Sequence, residues 1–241
     1  MMVFSYLSGL KAQRKSSRGL DSLSTKQIFN RKLLRRSILP ATFITLGIIA
    51  NGTDCEHNLQ SFLREKVGDD FEFAVDDYVL YVPMVEMYIA DIAGVKSRNH
   101  WFDQTKYLFI SNFISAGITH GLKFITNKIR PNGDEYSFPS GHTTFAFTNA
   151  SVLFYEFNDT SPVLAYSGYV FAVTTGMFRM LNNKHWISDV LVGAGIGFFV
   201  TVMVYRFEPF KNFNPLKKSK KITLVPQVIG NRYGFYMAYK F

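Results

Sequence analysis

Three clusters of polar residues interrupt the apolar second half of this chain. The first runs from Lys123 to Arg130 and Pro131, the second is Pro139-Ser140-Gly141-His142, and the third is Arg179 followed by His185 and Asp189. Lys123, Arg130 and Arg179 supply fixed positive charge. The planar fork of arginine matches phosphate oxygens in pairs, and lysine adds a compact point charge. Ser140 and Gly141 stand where a long apolar helix is expected to begin, so backbone N–H groups and the positive end of the helix dipole would face an anion there. Glycine carries no side chain to hold that anion away. The combination describes a phosphate cradle.

The histidines add reactivity. His185 and Asp189 are four residues apart, one helical turn, and can meet on one face. A carboxylate bonded to one imidazole nitrogen fixes the tautomer and leaves the other nitrogen as a nucleophile or base. His142, at a different helix mouth, is placed to protonate a leaving oxygen. Each piece alone has an ordinary reading: a headgroup anchor for the basic residues, a helix cap for Ser140, a structural contact for the His-Asp pair. Their occurrence in order, on one side of one bundle, favours the chemical reading.

The elements that must hold these residues are membrane helices. Apolar segments of about 16–20 residues alternate with charged loops, near the length that crosses a bilayer. They are expected at 37–52, 78–95, 107–122, 142–157, 163–181 and 189–206. The fold class is therefore all-α, a six-transmembrane-helix bundle over 37–206. A basic cytoplasmic tail (1–36) precedes it, and a basic linker with a β-hairpin (207–241) follows. Within the acidic stretch 53–77, Leu59, Phe62, Leu63 and Val67 recur at helical spacing, which predicts a short amphipathic helix on the membrane surface. The hairpin expectation rests on "NRYGFYMAYKF", apolar at every second position after a Gly230-Asn231 turn. A cleaved signal peptide over 37–52 is the competing reading. Its basic flank would be unusually long, so retention is expected.

The net charge of +9 does not point to nucleic acid, because Lys and Arg crowd residues 11–36 and 211–221 beside apolar segments. By the positive-inside rule the N-terminal tail, the 96–106 loop and the tail after 206 share the cytoplasmic side. The 53–77 segment and the 123–141 and 182–188 loops then share the opposite face with all three clusters. The single cysteine, Cys55, excludes an intramolecular disulfide and reads as a free thiol.

The motif set resembles the type 2 phosphatidic acid phosphatase family, which shares its site with vanadium-dependent haloperoxidases. Lys123, Arg130 and Pro131 match its first signature, residues 139–142 its second, and Arg179, His185 and Asp189 its third. Phe178 replaces the serine usual before the arginine. The resemblance implies a metal-independent lipid phosphatase with no cofactor, in a bacterial inner membrane with its active site facing the periplasm. Its substrate would be a lipid phosphate or pyrophosphate monoester. His185 would form a phosphohistidine oriented by Asp189, and His142 would be the general acid. Lys123, Arg130, Ser140, Gly141 and Arg179 would hold the phosphoryl oxygens. A lipid phosphotransferase using the same site and a non-catalytic lipid-binding or transport protein are the alternatives. His57, His100 and Lys184 are given no role. His120, one turn before Lys123, reads as a packed or interfacial residue, and Asn182 and Asn183 as shapers of the turn before His185.

Overall fold

The computed structural model describes residue 34, residues 36–213 and the strands 222–229 and 232–239. Five of the six apolar segments fall on single helices, and the 78–95 segment is divided. In chain order the helices are α1 (Arg36–Ala50), α2 (Asp54–Val67), α3 (Asp76–Val79), α4 (Val82–Ile92), α5 (Trp101–Thr126), α6 (Gly141–Phe157), α7 (Pro162–Leu181) and α8 (Ile187–Phe207). The strands β1 (Ile222–Ile229) and β2 (Arg232–Tyr239) pair antiparallel, with Ile229 opposite Arg232 and Ile222 opposite Tyr239. The expected turn at Gly230-Asn231 and most of the 1–36 tail lie outside the described residues.

Helix α6 is the centre of the bundle, packed on α5, α7 and α8. Most of its residues are buried, apolar Phe147, Ala150, Leu153 and Phe157 among them. Two glycines set its distance from α8. A Cβ at Gly193 would meet the Ser140 carbonyl oxygen at 2.7 Å, and one at Gly197 would meet the Thr144 carbonyl oxygen at 2.7 Å. Small residues one helical turn apart let backbones approach in this way. The start of α6 is thereby held against the start of α8, which joins the second motif to the third.

Among the described residues two helices, α5 and α8, are long and apolar enough to cross a membrane, and a third span arises if α1 and α2 count as one bent pair. The 78–95 segment is not the single helix expected. It divides into α3 and α4, with Pro83 at the start of α4, a position where the missing N–H and fixed φ do least harm. At 1.5 Å per residue, the 11 residues of α4 reach roughly 16 Å, about half a hydrocarbon core. Helix α5 begins at Trp101 and ends at Thr126. Lys106 and Lys123, assigned to loops by hydropathy alone, therefore sit on that helix.

The charged loops gather at two ends. At one, Arg98 pairs with Glu208 at 3.1 Å, and buried Glu156 accepts from Asn99 and Tyr205. At the other stand all three motif clusters. The chain turns by 90° between α1 and α2, laying α2 across that second end. The amphipathic helix exists as expected, but its buried residues are Glu56 and Gln60, and Phe62 is exposed. Its polar side faces the protein because partners wait there, Lys128 for Glu56 and the Met180 carbonyl for Gln60.

Candidate active site

His185 is enclosed at the tip of the α7–α8 connection, 2% exposed. Asn183 in the left-handed region (φ 56°) turns the chain back, and the His185 N–H donates to the Arg179 carbonyl at 3.2 Å. Asp189 follows within the first turn of α8, where a carboxylate is favoured by the helix dipole. Its Oδ2 accepts from the Trp186 N–H at 2.9 Å and from the Ser137 hydroxyl, and lies 3.3 Å from His185 Nδ1. With an acceptor so placed, Nδ1 carries the hydrogen and Nε2 keeps its lone pair. Burial pushes the His185 pKa down to about 4, against the hydrogen bond and charge of Asp189 and with the aid of Arg179 and Lys123. The imidazole is neutral at pH 7.

His185 forms part of the wall of a cavity of about 460 Å³ that also includes Lys123, Arg130, Gly141, His142 and Arg179. Residues from α5, α6, α7 and the two connecting loops thus converge on one space. Nε of Arg130 and Nε of Arg179 are buried with no acceptor among the described residues. Buried donors seldom stay unpaired, and an oxyanion in the cavity would satisfy such groups. The space beside Gly141 is open, for a Cβ there would come no closer than 4.0 Å to any side chain, at Thr119 Cγ2. Among the described residues the N–H groups of Gly141 and His142 have no acceptor, as expected for a helix start.

Ser140 differs from expectation. It is fully buried and off the cavity wall, and its N–H is not free but donates to the Asp189 carbonyl at 3.0 Å. Its hydroxyl oxygen accepts from Thr143 N–H and the Thr143 hydroxyl, the pattern of a helix cap. At this helix start it is Gly141 and His142 that border the cavity. Asp189 is also off the wall, behind His185.

Several residues not singled out from sequence complete the site. Buried Asp76 accepts from Arg179 Nη1 and from Asn182 Nδ2, each at 2.8 Å. Asp77 Oδ1 lies 2.9 Å from His142 Nε2 and 3.7 Å from Arg179 Nη1. Lys128, between Lys123 and Arg130, reaches Asp189 Oδ1 at 3.2 Å and Glu56 Oε1 at 2.9 Å. Asn182 also exchanges hydrogen bonds with the Phe73 backbone. His120 is exposed and contributes to the cavity wall. Phe178 stays out of the cavity and packs on Phe73, ring centroids 5.8 Å apart. It thereby helps anchor the stretch that carries Asp76 and Asp77.

Residues 104–213 match the PAP2 superfamily. That segment belongs to the superfamily. Lys123, Arg130, Ser140, Gly141, His142, Arg179, His185 and Asp189 all fall within the PAP2 match, whereas Glu56, Asp76 and Asp77 precede it. The chain is 30% identical over 184 residues to a lipid A 1-phosphatase of Porphyromonas gingivalis, an alignment covering 71% of this chain and 41% of that one. It thus spans less than half the length of that curated relative. Among solved structures, a transmembrane PAP2 type phosphatidylglycerolphosphate phosphatase from Bacillus subtilis shares the fold. Its TM-score is 0.51 at 16% identity, covering 74% of this chain and 99% of that one. Aquifex aeolicus LpxE gives a TM-score of 0.48 at 20% identity over 64% of this chain and 97% of that one.

Proposed function

We propose that this PAP2 protein is a membrane-bound phosphatase that hydrolyses a lipid phosphate or pyrophosphate monoester through a phosphohistidine at His185. The observation that carries the reading is the neutral, enclosed His185 backed by Asp189, in a cavity edged by Lys123, Arg130, Arg179 and His142. Nε2 attacks phosphorus and the bond to the leaving oxygen breaks. Lys123, Arg130 and Arg179 bind the phosphoryl oxygens, together with the amide at Gly141. Asp189 stabilises the positive charge that develops on the imidazole ring.

His142 gives its proton to the departing oxygen. Asp77, 2.9 Å from Nε2, holds the ring and leaves Nδ1 for the reacting group. In the second half-reaction the same histidine takes a proton from water, which attacks the phosphohistidine, releases phosphate and restores His185. Uncatalysed hydrolysis of phosphate monoesters is among the slowest reactions compared with enzymes, so fixed charges and an enclosed nucleophile have a large barrier to lower.

The bundle has six membrane helices in this reading, with the motif end on the periplasmic face of a bacterial inner membrane and the Arg98–Glu208 end in the cytoplasm. The cluster of Lys and Arg in the tails supports that orientation. A lipid substrate would present its phosphate to the motif end from the adjoining leaflet.

The test is phosphate release by purified protein from phosphatidic acid, phosphatidylglycerophosphate, lipid A phosphates and undecaprenyl pyrophosphate, in EDTA. Release from at least one substrate, lost in His185→Ala, is the expected result. Equal release by wild type and His185→Ala would exclude the assignment. Phosphate appearing only on an added lipid alcohol would identify a phosphotransferase.

A further inference from the structure

Asp189 meets His185 through Oδ2. A second, buried set of contacts lies on the opposite side of the carboxylate. Lys128 Nζ is 3.2 Å from Asp189 Oδ1, 2.8 Å from Ser188 Oγ, and 2.9 and 3.1 Å from the two oxygens of Glu56. Glu56 is 1% exposed. Its Oε1 accepts from the Ser188 hydroxyl, and its Oε2 accepts from the Gly52 N–H at 2.7 Å. Helix α2 is locked over the same loop by Gln60, which donates to the Met180 carbonyl at 3.0 Å, and by Arg64, which donates to the Leu181 carbonyl at 2.8 Å.

We propose that Lys128 and Glu56 are positioning residues for the nucleophile, acting through Asp189 to fix the charge and orientation of His185. With His185 neutral, Glu56, Lys128 and Asp189 sum to a single negative charge. That charge offsets the positive charge His185 acquires on attack. Lys128 holds Asp189 ionised, so it accepts a hydrogen bond from the imidazole rather than its proton. Glu56 in turn keeps Lys128 from cancelling Asp189. Both partners come from outside the motif residues themselves, and Glu56 comes from outside the PAP2 match. The inference rests on the phosphatase reading for its kinetic consequence, but its electrostatic consequence stands apart from turnover.

The other charged groups facing His185 and Asp189 are Lys123 from α5, Arg179 from α7 with Asp76 behind it, Arg130 from the α5–α6 loop, and His142 from α6 with Asp77. None of these changes in the variants that test the proposal. Lys128→Met leaves two buried carboxylates facing His185 and should draw a proton onto it more readily. Glu56→Gln leaves Lys128 with Asp189 alone and should do the reverse.

The experiment follows the His185 ring by NMR titration, its signal assigned by loss in His185→Gln, and the pH profile of kcat alongside. Expected are opposite shifts of the His185 titration, upward in Lys128→Met and downward in Glu56→Gln, with Glu56→Gln/Lys128→Met close to wild type. The acid limb of kcat moves with them. At its optimum Lys128→Met loses at least about tenfold in kcat with little change in KM, the size of effect known for partners that orient a functional ligand. Lys128→Arg keeps the charge and should recover most of the loss. Unshifted titrations in folded Glu56→Gln and Lys128→Met, or a loss of folded protein in both with the acid limb of the remaining activity unmoved, would reduce the pair to an anchor for α2 and overturn the proposal. Because the titration needs no turnover, failure of the phosphatase reading would show separately, as absence of phosphate release from wild type.

Discussion

Arg179 Nη1 lies 2.8 Å from Asp76 Oδ2, and both side chains are almost closed off from solvent. A guanidinium facing an anion cavity is therefore oriented before any ligand arrives. Asn182 donates to the other Asp76 oxygen at 2.8 Å, so the carboxylate is held as firmly as the arginine it holds. Arg179→Ala would strand Asp76 as a buried, uncompensated charge, a loss of about 3–5 kcal/mol in comparable pairs. Thermal unfolding of detergent-solubilised protein should show a clear drop for that variant. Adding Asp76→Asn should recover much of the stability while phosphate release stays low. Recovery of activity in the double variant would show that Arg179 does not bind the phosphoryl group.

His142 and Asp77, 2.9 Å apart, make a second imidazole–carboxylate pair at the cavity mouth. If His142 protonates the leaving oxygen, its removal matters most where that oxygen is a poor leaving group. His142→Ala should lose about 10²–10⁴-fold on an alkyl phosphate and far less on p-nitrophenyl phosphate, whose leaving group needs no proton. Asp77→Asn should show the same pattern at smaller size. Equal losses on both substrates would assign His142 to binding instead.

The pH dependence of stability has a definite sign. Burial lowers the His185 pKa from 6.5 to about 4, so between those values the unfolded chain binds a proton that the folded chain does not. Unfolding free energy then rises with pH across that window. Stability from this residue is complete above pH 6.5 and falls away as pH drops toward about 4. Denaturant titrations at several pH values should show wild type losing stability over that range. His185→Gln, with no titrating ring at this position, should lose less. An identical pH slope in both would place the low-pH sensitivity elsewhere.

Five of the six expected helical segments and the gathering of the three clusters at one end were legible from apolar runs and charge bias, because both follow from transfer energies along the chain. The break between α3 and α4 was not, since Leu80 and Tyr81 are as apolar as their neighbours and only Pro83 hints at an interruption. Lys123, Arg130, Gly141, His142, Arg179 and His185 were found by spacing, and they share one cavity. Ser140 was legible as a cap more than as an anion ligand. Glu56, Asp76 and Asp77 were hidden among eight acidic residues in 53–77, where nothing marks one carboxylate as buried. Their partners lie 72, 103 and 65 residues away, and no local pattern encodes pairings at that range. His120 was legible as a position near Lys123 but not as part of the cavity wall.

The covalent step is the claim on which the rest depends. Wild-type protein mixed with a ³²P-labelled lipid phosphate and quenched in alkali within milliseconds should retain label that is stable to base and labile to acid. Peptide mapping should place it on His185, with none in His185→Ala and a larger steady-state fraction in any variant slowed only in hydrolysis. Turnover with full phosphate release but no label on His185 at any quench time, or equal labelling of His185→Ala, would contradict a phosphohistidine route.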